Sequence, residues 1–213
     1  MDELELLKKD WQKEDDTFPK LSFNEIYKMI LKKSSSIVKW IFIISILEFV
    51  FWSVISLLLK DTESMDRFKQ YDADYIFIPL AIISYVILAY FIYMFFKNYK
   101  NISVTDSAKV LMENILKTRR TVKQYVGFNL VFLIISTIIV LFIEFDQDQN
   151  VINLTQQAKA DGEIFKFYAI FIITTILFLA AAIGVLLLFY WLVYGILLKR
   201  LNKNYKELKR LEV

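Results

Sequence analysis

Glu48 falls at the middle of an apolar run, residues 38–59, where an ionisable side chain costs about 2.5–3.5 kcal/mol on membrane-insertion scales. Three roles are compatible with such a residue. It is a protonated carboxyl hydrogen-bonded to a neighbouring span, a contact with another membrane subunit, or a station for a proton or cation. Conduction needs a relay, and the other runs offer only Glu144 and Asn129 near their ends, beside the neutral Ser45, Ser53, Ser56, Ser84, Thr174 and Thr175. No lysine or arginine inside a run is placed to pair with Glu48. Cysteine and histidine are absent from the chain, which excludes disulfides, thiolate nucleophiles, histidine–cysteine zinc sites, histidine-ligated haem and a Ser-His-Asp triad. The four glycines, Gly127, Gly162, Gly184 and Gly195, are too scattered to cradle a phosphate. No catalytic residue, metal or cofactor is expected, and the protein reads as non-enzymatic.

The elements that must position Glu48 are hydrocarbon-length helices. Hydrophobic residues make up 57% of the chain and aromatic ones 16%, beyond the range of a soluble domain. A spanning helix needs about 20 mostly apolar residues, and residues 38–59, 75–96, 124–145 and roughly 167–198 each supply that. The first begins far from the N-terminus, after an acidic amphipathic stretch, so a cleaved signal peptide is not expected. Basic residues alternate high and low between the runs: seven lysines precede the first, seven lysines and arginines lie in residues 97–123, and six follow residue 198, while residues 146–163 hold Lys159 alone. Positive loops stay inside, so both termini are expected in the cytoplasm of a bacterial inner membrane.

Residues 1–20 form an expected acidic cytoplasmic helix, with Leu4, Leu7 and Trp11 on one stripe. That stripe either clasps the basic cytoplasmic surface of its own chain or anchors a cytoplasmic partner. Ser22-Phe23-Asn24-Glu25 has the form of a capping box, with Leu21 and Ile26 as its staple. It opens an amphipathic surface helix that runs into the first span, with a possible bend at Ser34, Ser35 and Ser36. Ser103-Val104-Thr105-Asp106 opens a second such helix before the third span. The two units align at an offset of 85 residues, and Lys97-Asn98-Tyr99-Lys100 matches Lys203-Asn204-Tyr205-Lys206. Two tandem hairpins follow from this, each preceded by a cytoplasmic amphipathic helix: residues 21–98 and 99–213.

The last run is too long for a bilayer core of about 30 Å, so the helix is expected to project into the cytoplasm. Its stripe of Leu201, Tyr205 and Leu208 either docks a partner or packs against the helix before span three. Ala180 and Gly184 give a small-xxx-small face suited to packing within the chain or between copies and subunits. Lys117, Arg119, Arg120 and Lys123 set topology and attract anionic headgroups; no aromatic platform accompanies them, so nucleic acid is not an expected partner. Trp40, Trp52, Tyr75, Tyr90, Tyr93, Tyr125, Tyr168, Trp191 and Tyr194 read as interfacial aromatics.

The stretches Asp2-Glu3-Leu4-Glu5-Leu6-Leu7-Lys8-Lys9-Asp10-Trp11, Glu25-Ile26-Tyr27-Lys28-Met29, residues 32–40 and Ile102-Ser103-Val104-Thr105-Asp106-Ser107 resemble uncharacterised four-span inner-membrane proteins of flavobacteria and other Bacteroidota. Some of those carry the name of a carotenoid-cleaving oxygenase, which implies iron held by four histidines; a chain without histidine cannot be that enzyme. The acidic N-terminal helix more loosely resembles small membrane proteins that accompany extracytoplasmic sigma factors. Taken together, the expected fold is an all-α membrane protein with four transmembrane helices. The expected function is an accessory or scaffold subunit of an inner-membrane complex. The alternatives are a membrane-tethered regulator of a sigma-factor-like cytoplasmic protein and a small channel or transporter using Glu48.

Overall fold

A computed structural model describes residues 22–59, 62, 66, 70, 71, 73–105 and 107–211. Leu4, Leu7, Trp11 and the staple residue Leu21 lie outside the described residues. Among the described residues every regular element is helical: α1 Phe23–Leu59, α2 Asp74–Ser103, α3 Ala108–Gln147, α4 Gln149–Ala160, α5 Ile164–Tyr190, a π-helical turn Trp191–Gly195, and α6 Ile196–Leu211. Four helices, α1, α2, α3 and the continuous Ile164–Leu211, are long and apolar enough to cross a membrane.

The capping box forms as the residue types predict. The Ser22 amide and hydroxyl donate to Oε2 of Glu25 at 2.8 and 2.9 Å, and the Glu25 amide donates to Ser22 Oγ at 3.3 Å. These bonds, the backbone one foremost, hold the Glu25 carboxyl below its ordinary value of 4.5. A carboxylate with a lowered folded-state value contributes order above its unfolded value and loses it as pH falls through the folded one. The Ser22 and Glu25 amide resonances are therefore expected to titrate with a midpoint below 4.5, and Glu25→Gln should abolish the titration. A midpoint at or above the ordinary value would contradict the cap.

The second helix opening lies elsewhere than its residue types suggest. Ser103 ends α2, and α3 begins at Ala108 after Ser107. Thr105 does not cap it, because its hydroxyl donates back to the Asn101 carbonyl at 2.5 Å and accepts from Asn114 Nδ2 at 3.2 Å. The hydroxyl thus joins α2 to α3 instead of starting a helix. Nor does α1 break at its serines. Ser34 is fully buried and accepts a hydrogen bond from Asn204 Nδ2 at 2.9 Å.

Burial follows one stripe on each long helix. The positions are Ile30, Ser34, Val38, Ile41, Ser45 and Glu48 on α1, Phe91, Phe95, Asn98 and Ile102 on α2, and Leu111, Ile115, Thr118, Val122 and Tyr125 on α3. Alternate spacings of three and four are the mark of knobs-into-holes bundle packing. The stripe continues on the last helix at Tyr190, Tyr194, Leu201, Asn204 and Leu208. α1 packs against α2 and α6, and α3 against the same two, so the four make a ring. Phe95, Asn98 and Ile102 are buried at the same spacing as Leu201, Asn204 and Leu208. Each asparagine ties its helix to the next one in the ring: Asn98 of α2 donates to Thr121 Oγ1 of α3 at 3.0 Å, and Asn204 of α6 to Ser34 of α1.

Packing is concentrated in the half of the bundle nearest the described ends of the chain. There one cluster joins Ile30, Val38, Ile102, Leu111, Ile115, Leu201 and Leu208, and a second joins Ile41, Phe91, Phe95, Val122, Tyr125, Tyr190 and Tyr194. Among the described residues the far half holds one small cluster, Tyr71, Ala73 and Ile143. It also holds α4, a helix that the acidic loop composition concealed. Asp148 Oδ1 accepts from the Asn150 and Val151 amides at 2.8 and 3.2 Å, while Oδ2 accepts from the Tyr71 hydroxyl at 2.6 Å. At its other end, Gly162 takes a φ of 73°, and the Glu163 amide donates to the Ala158 carbonyl at 2.8 Å. This is the left-handed termination that glycine adopts without a Cβ clash.

Candidate functional site

Glu48 is on the buried stripe of α1, 6% exposed, with both carboxyl oxygens engaged. The Tyr190 hydroxyl donates to Oε1 and the Tyr194 hydroxyl to Oε2, each at 3.0 Å. The last helix brings the two tyrosines together through their spacing of four residues. They flank and enter the π-helical turn Trp191–Gly195, the kind of local widening that helices use to re-aim side chains at functional sites. Gly195 makes room for it. A Cβ there would meet Cδ1 of Trp191 at 3.3 Å.

Tyr125 of α3 completes the surround. Its ring lies edge-on to Tyr190 and Tyr194, with centroids 6.0 and 5.9 Å away, and edge-on to Phe91 and Phe95 of α2. The carboxyl of α1 is thereby hydrogen-bonded to the last helix, with the Tyr125 side chain of α3 as a further polar neighbour, and Tyr125 reaches α2 through its ring. Buried polar groups of this kind are satisfied or costly, and among the described residues no buried side-chain nitrogen or oxygen lacks a partner.

A cavity of about 610 Å³ opens beside the carboxyl. Apolar side chains make most of its wall, and Glu48, Ser53, Ser84, Asn129, Ser136 and Tyr190 supply the polar atoms. The combination of an apolar wall with a few convergent polar groups is that of a pocket for a small molecule or a side chain. It contains one carboxyl and no basic residue, so an anion would find no cationic partner there.

The other sequence candidates fall in different places. Tyr125 and Tyr194, expected at the headgroups, are buried beside Glu48 instead, because a carboxyl in the bundle interior needs donors that an interfacial ring would leave unused. Tyr190 was not singled out by residue type; its signal is the Tyr-x-x-x-Tyr spacing on the helix that faces Glu48. Leu201 and Leu208, for which docking and packing against the helix before span three were both open, take the second course: they are fully buried in the protein's own core with Ile30, Leu111 and Ile115. Tyr205 packs against the same cluster. The last helix packs on both α1 and α3, so its apolar stripe is covered in cis. Ala180 and Gly184 are exposed, and a Cβ on Gly184 would meet nothing within 4 Å; neither is used for packing within the chain. Lys117, Arg120 and Lys123 are exposed, whereas Arg119 is half-buried and donates from Nη1 to Asn202 Oδ1 at 2.9 Å.

No curated protein and no solved structure matches the chain. A family profile does match over residues 24–213, which takes in all four apolar helices and the Glu48 site, and the chain therefore belongs to the family described as a domain of unknown function, DUF8845.

Proposed function

We propose that the protein is a non-enzymatic, multi-pass accessory or scaffold subunit of a bacterial inner-membrane complex. The observation that carries this reading is the far part of the last span. Over residues 164–189 it has no buried residue, although it stands beside a cavity with a polar floor. A helix that packs through one end only, with an unused small-residue face at Ala180 and Gly184, offers another spanning helix a place to approach closely. The hydrogen bonds at Glu48 favour an anchor over a proton relay, since both oxygens are taken by tyrosines and no second acid lines the cavity. In this reading the chain is two tandem hairpins, each led by a cytoplasmic amphipathic helix. Both termini are cytoplasmic, where the basic residues at 97–123 and 199–210 meet the inner leaflet.

Purification from native membranes in mild detergent, followed by mass spectrometry, tests it. One or more membrane proteins are expected in stoichiometric amount, and Ala180→Phe with Gly184→Phe should release them while the chain itself remains folded. A Cβ at Gly184 would meet nothing within 4 Å in its own chain, so a loss of partners with an unchanged unfolding midpoint would report an intermolecular contact. Recovery of the chain alone, or only as copies of itself, would overturn the accessory role.

A further inference from the structure

Lys32 and Lys33 on α1 and Arg200 and Lys203 on α6 converge on a groove of about 670 Å³. All four are exposed. The one acid in its lining is Glu207, whose carboxylate lies 3.9 Å from Lys203 Nζ, so the groove keeps a clear excess of positive charge. Arg200 also lines a second groove of about 620 Å³, which runs on between the same two helices past Trp40, Ile44, Val193 and Leu197 to Phe51. The two share Arg200 and line up as one crevice, cationic at one end and mostly apolar along the rest, where Glu48, held by its two tyrosines, is the one acid in the wall.

Its dimensions identify the occupant. Along α1 the apolar part covers residues 40–51, a rise of about 17 Å at 1.5 Å per residue. Half of a hydrocarbon core about 30 Å thick is nearly the same length. Trp40 stands where cation gives way to hydrocarbon, the level that indole rings favour. We propose that this crevice is a binding site for one anionic phospholipid of the leaflet nearest the chain ends. Its phosphate sits among Lys32, Lys33, Arg200 and Lys203, with an acyl chain in the trough. Guanidinium and ammonium groups are the donors that phosphate oxygens recruit, and basic pockets between spanning helices take acidic headgroups. A soluble phosphate would leave the trough empty. At the 106-residue offset that links Asn98 to Asn204, the position matching Arg200 is Met94, so this arginine is particular to the last helix.

Native mass spectrometry of the purified full chain reads this directly, with phosphatidylglycerol, phosphatidylcholine of the same acyl chains, and soluble glycerol phosphate as probes. One phosphatidylglycerol per chain should be retained, at least about tenfold in preference to phosphatidylcholine. Soluble glycerol phosphate should not displace it. Lys32→Gln with Arg200→Gln should lower retention about tenfold or more, whereas Arg120→Gln with Lys123→Gln, the same charge removed from α3 where headgroups are attracted without a groove to hold them, should lower it far less. Leu192→Trp narrows the trough at an exposed position without touching a charge, and should lower retention too. Equal retention of the two lipids, displacement by glycerol phosphate, or an equal loss in the α3 variant would overturn the site. If the Lys32 and Arg200 variant does not fold, unchanged retention in Leu192→Trp overturns it instead.

Discussion

Glu48→Leu is expected to destabilise the purified protein by about 2–5 kcal/mol, because two buried tyrosine hydroxyls lose their acceptor at once and each orphaned group costs about 1–3 kcal/mol. The hydroxyls of Tyr190 and Tyr194 donate to Oε1 and Oε2 of Glu48, and a leucine side chain offers neither of them an acceptor. The discriminating variant removes both sides of the interaction. Glu48→Leu combined with Tyr190→Phe and Tyr194→Phe should recover most of the loss, since taking away all partners of a buried polar set is far milder than taking away one. Glu48→Gln should fall between, because its amide still offers one acceptor and a donor that a hydroxyl oxygen accepts. Reversible unfolding in mixed micelles measures all three. A triple variant no more stable than Glu48→Leu would show that the carboxyl is needed for something other than its tyrosines.

This site was half legible in the residues. An acid at the middle of a mostly apolar run of 22 residues, 38–59, is a strong signal, because its cost demands a partner. The partner was not legible, for a physical reason. Tyrosine serves equally at the headgroup level and as a buried donor, so Tyr125 and Tyr194 carry the same signature in both places. Which one applies depends on helix rotation, and the π-helical turn Trp191–Gly195 changes that rotation in the segment concerned. The four spans were legible because hydrocarbon length leaves few alternatives. The capping box at Ser22 was legible because it is local, whereas the helix opening read at residues 103–106 lies at Ala108, because the Thr105 hydroxyl answers to Asn101 and to Asn114, nine residues on. The helix α4 was hidden by its composition. Its cap at Asp148 depends in turn on Tyr71, 77 residues away, a pairing that only the folded chain displays.

The stripe on the last helix separates docking from core by experiment. A helical row such as Leu201, Tyr205 and Leu208 states that an apolar face needs cover, not what covers it. In the structure the cover is the chain itself: Leu201 and Leu208 are 0% exposed, packed with Ile30 of α1 and Leu111 and Ile115 of α3. Leu208→Ala should therefore cost about 2–5 kcal/mol, the lost transfer energy plus the cavity left where three helices meet. Leu201→Ala should cost a similar amount, and the double variant should depart from the sum because both line one cluster. Lys206→Ala, on an exposed position of the same helix, should stay within about 0.5 kcal/mol of the parent. A residue kept for a partner would behave oppositely, leaving the unfolding midpoint of the isolated protein unchanged and weakening only an assembly. Unaltered midpoints for both leucine variants would mean that α6 does not seal the bundle. The ring of helices that holds Tyr194 against Glu48 would then need another clamp.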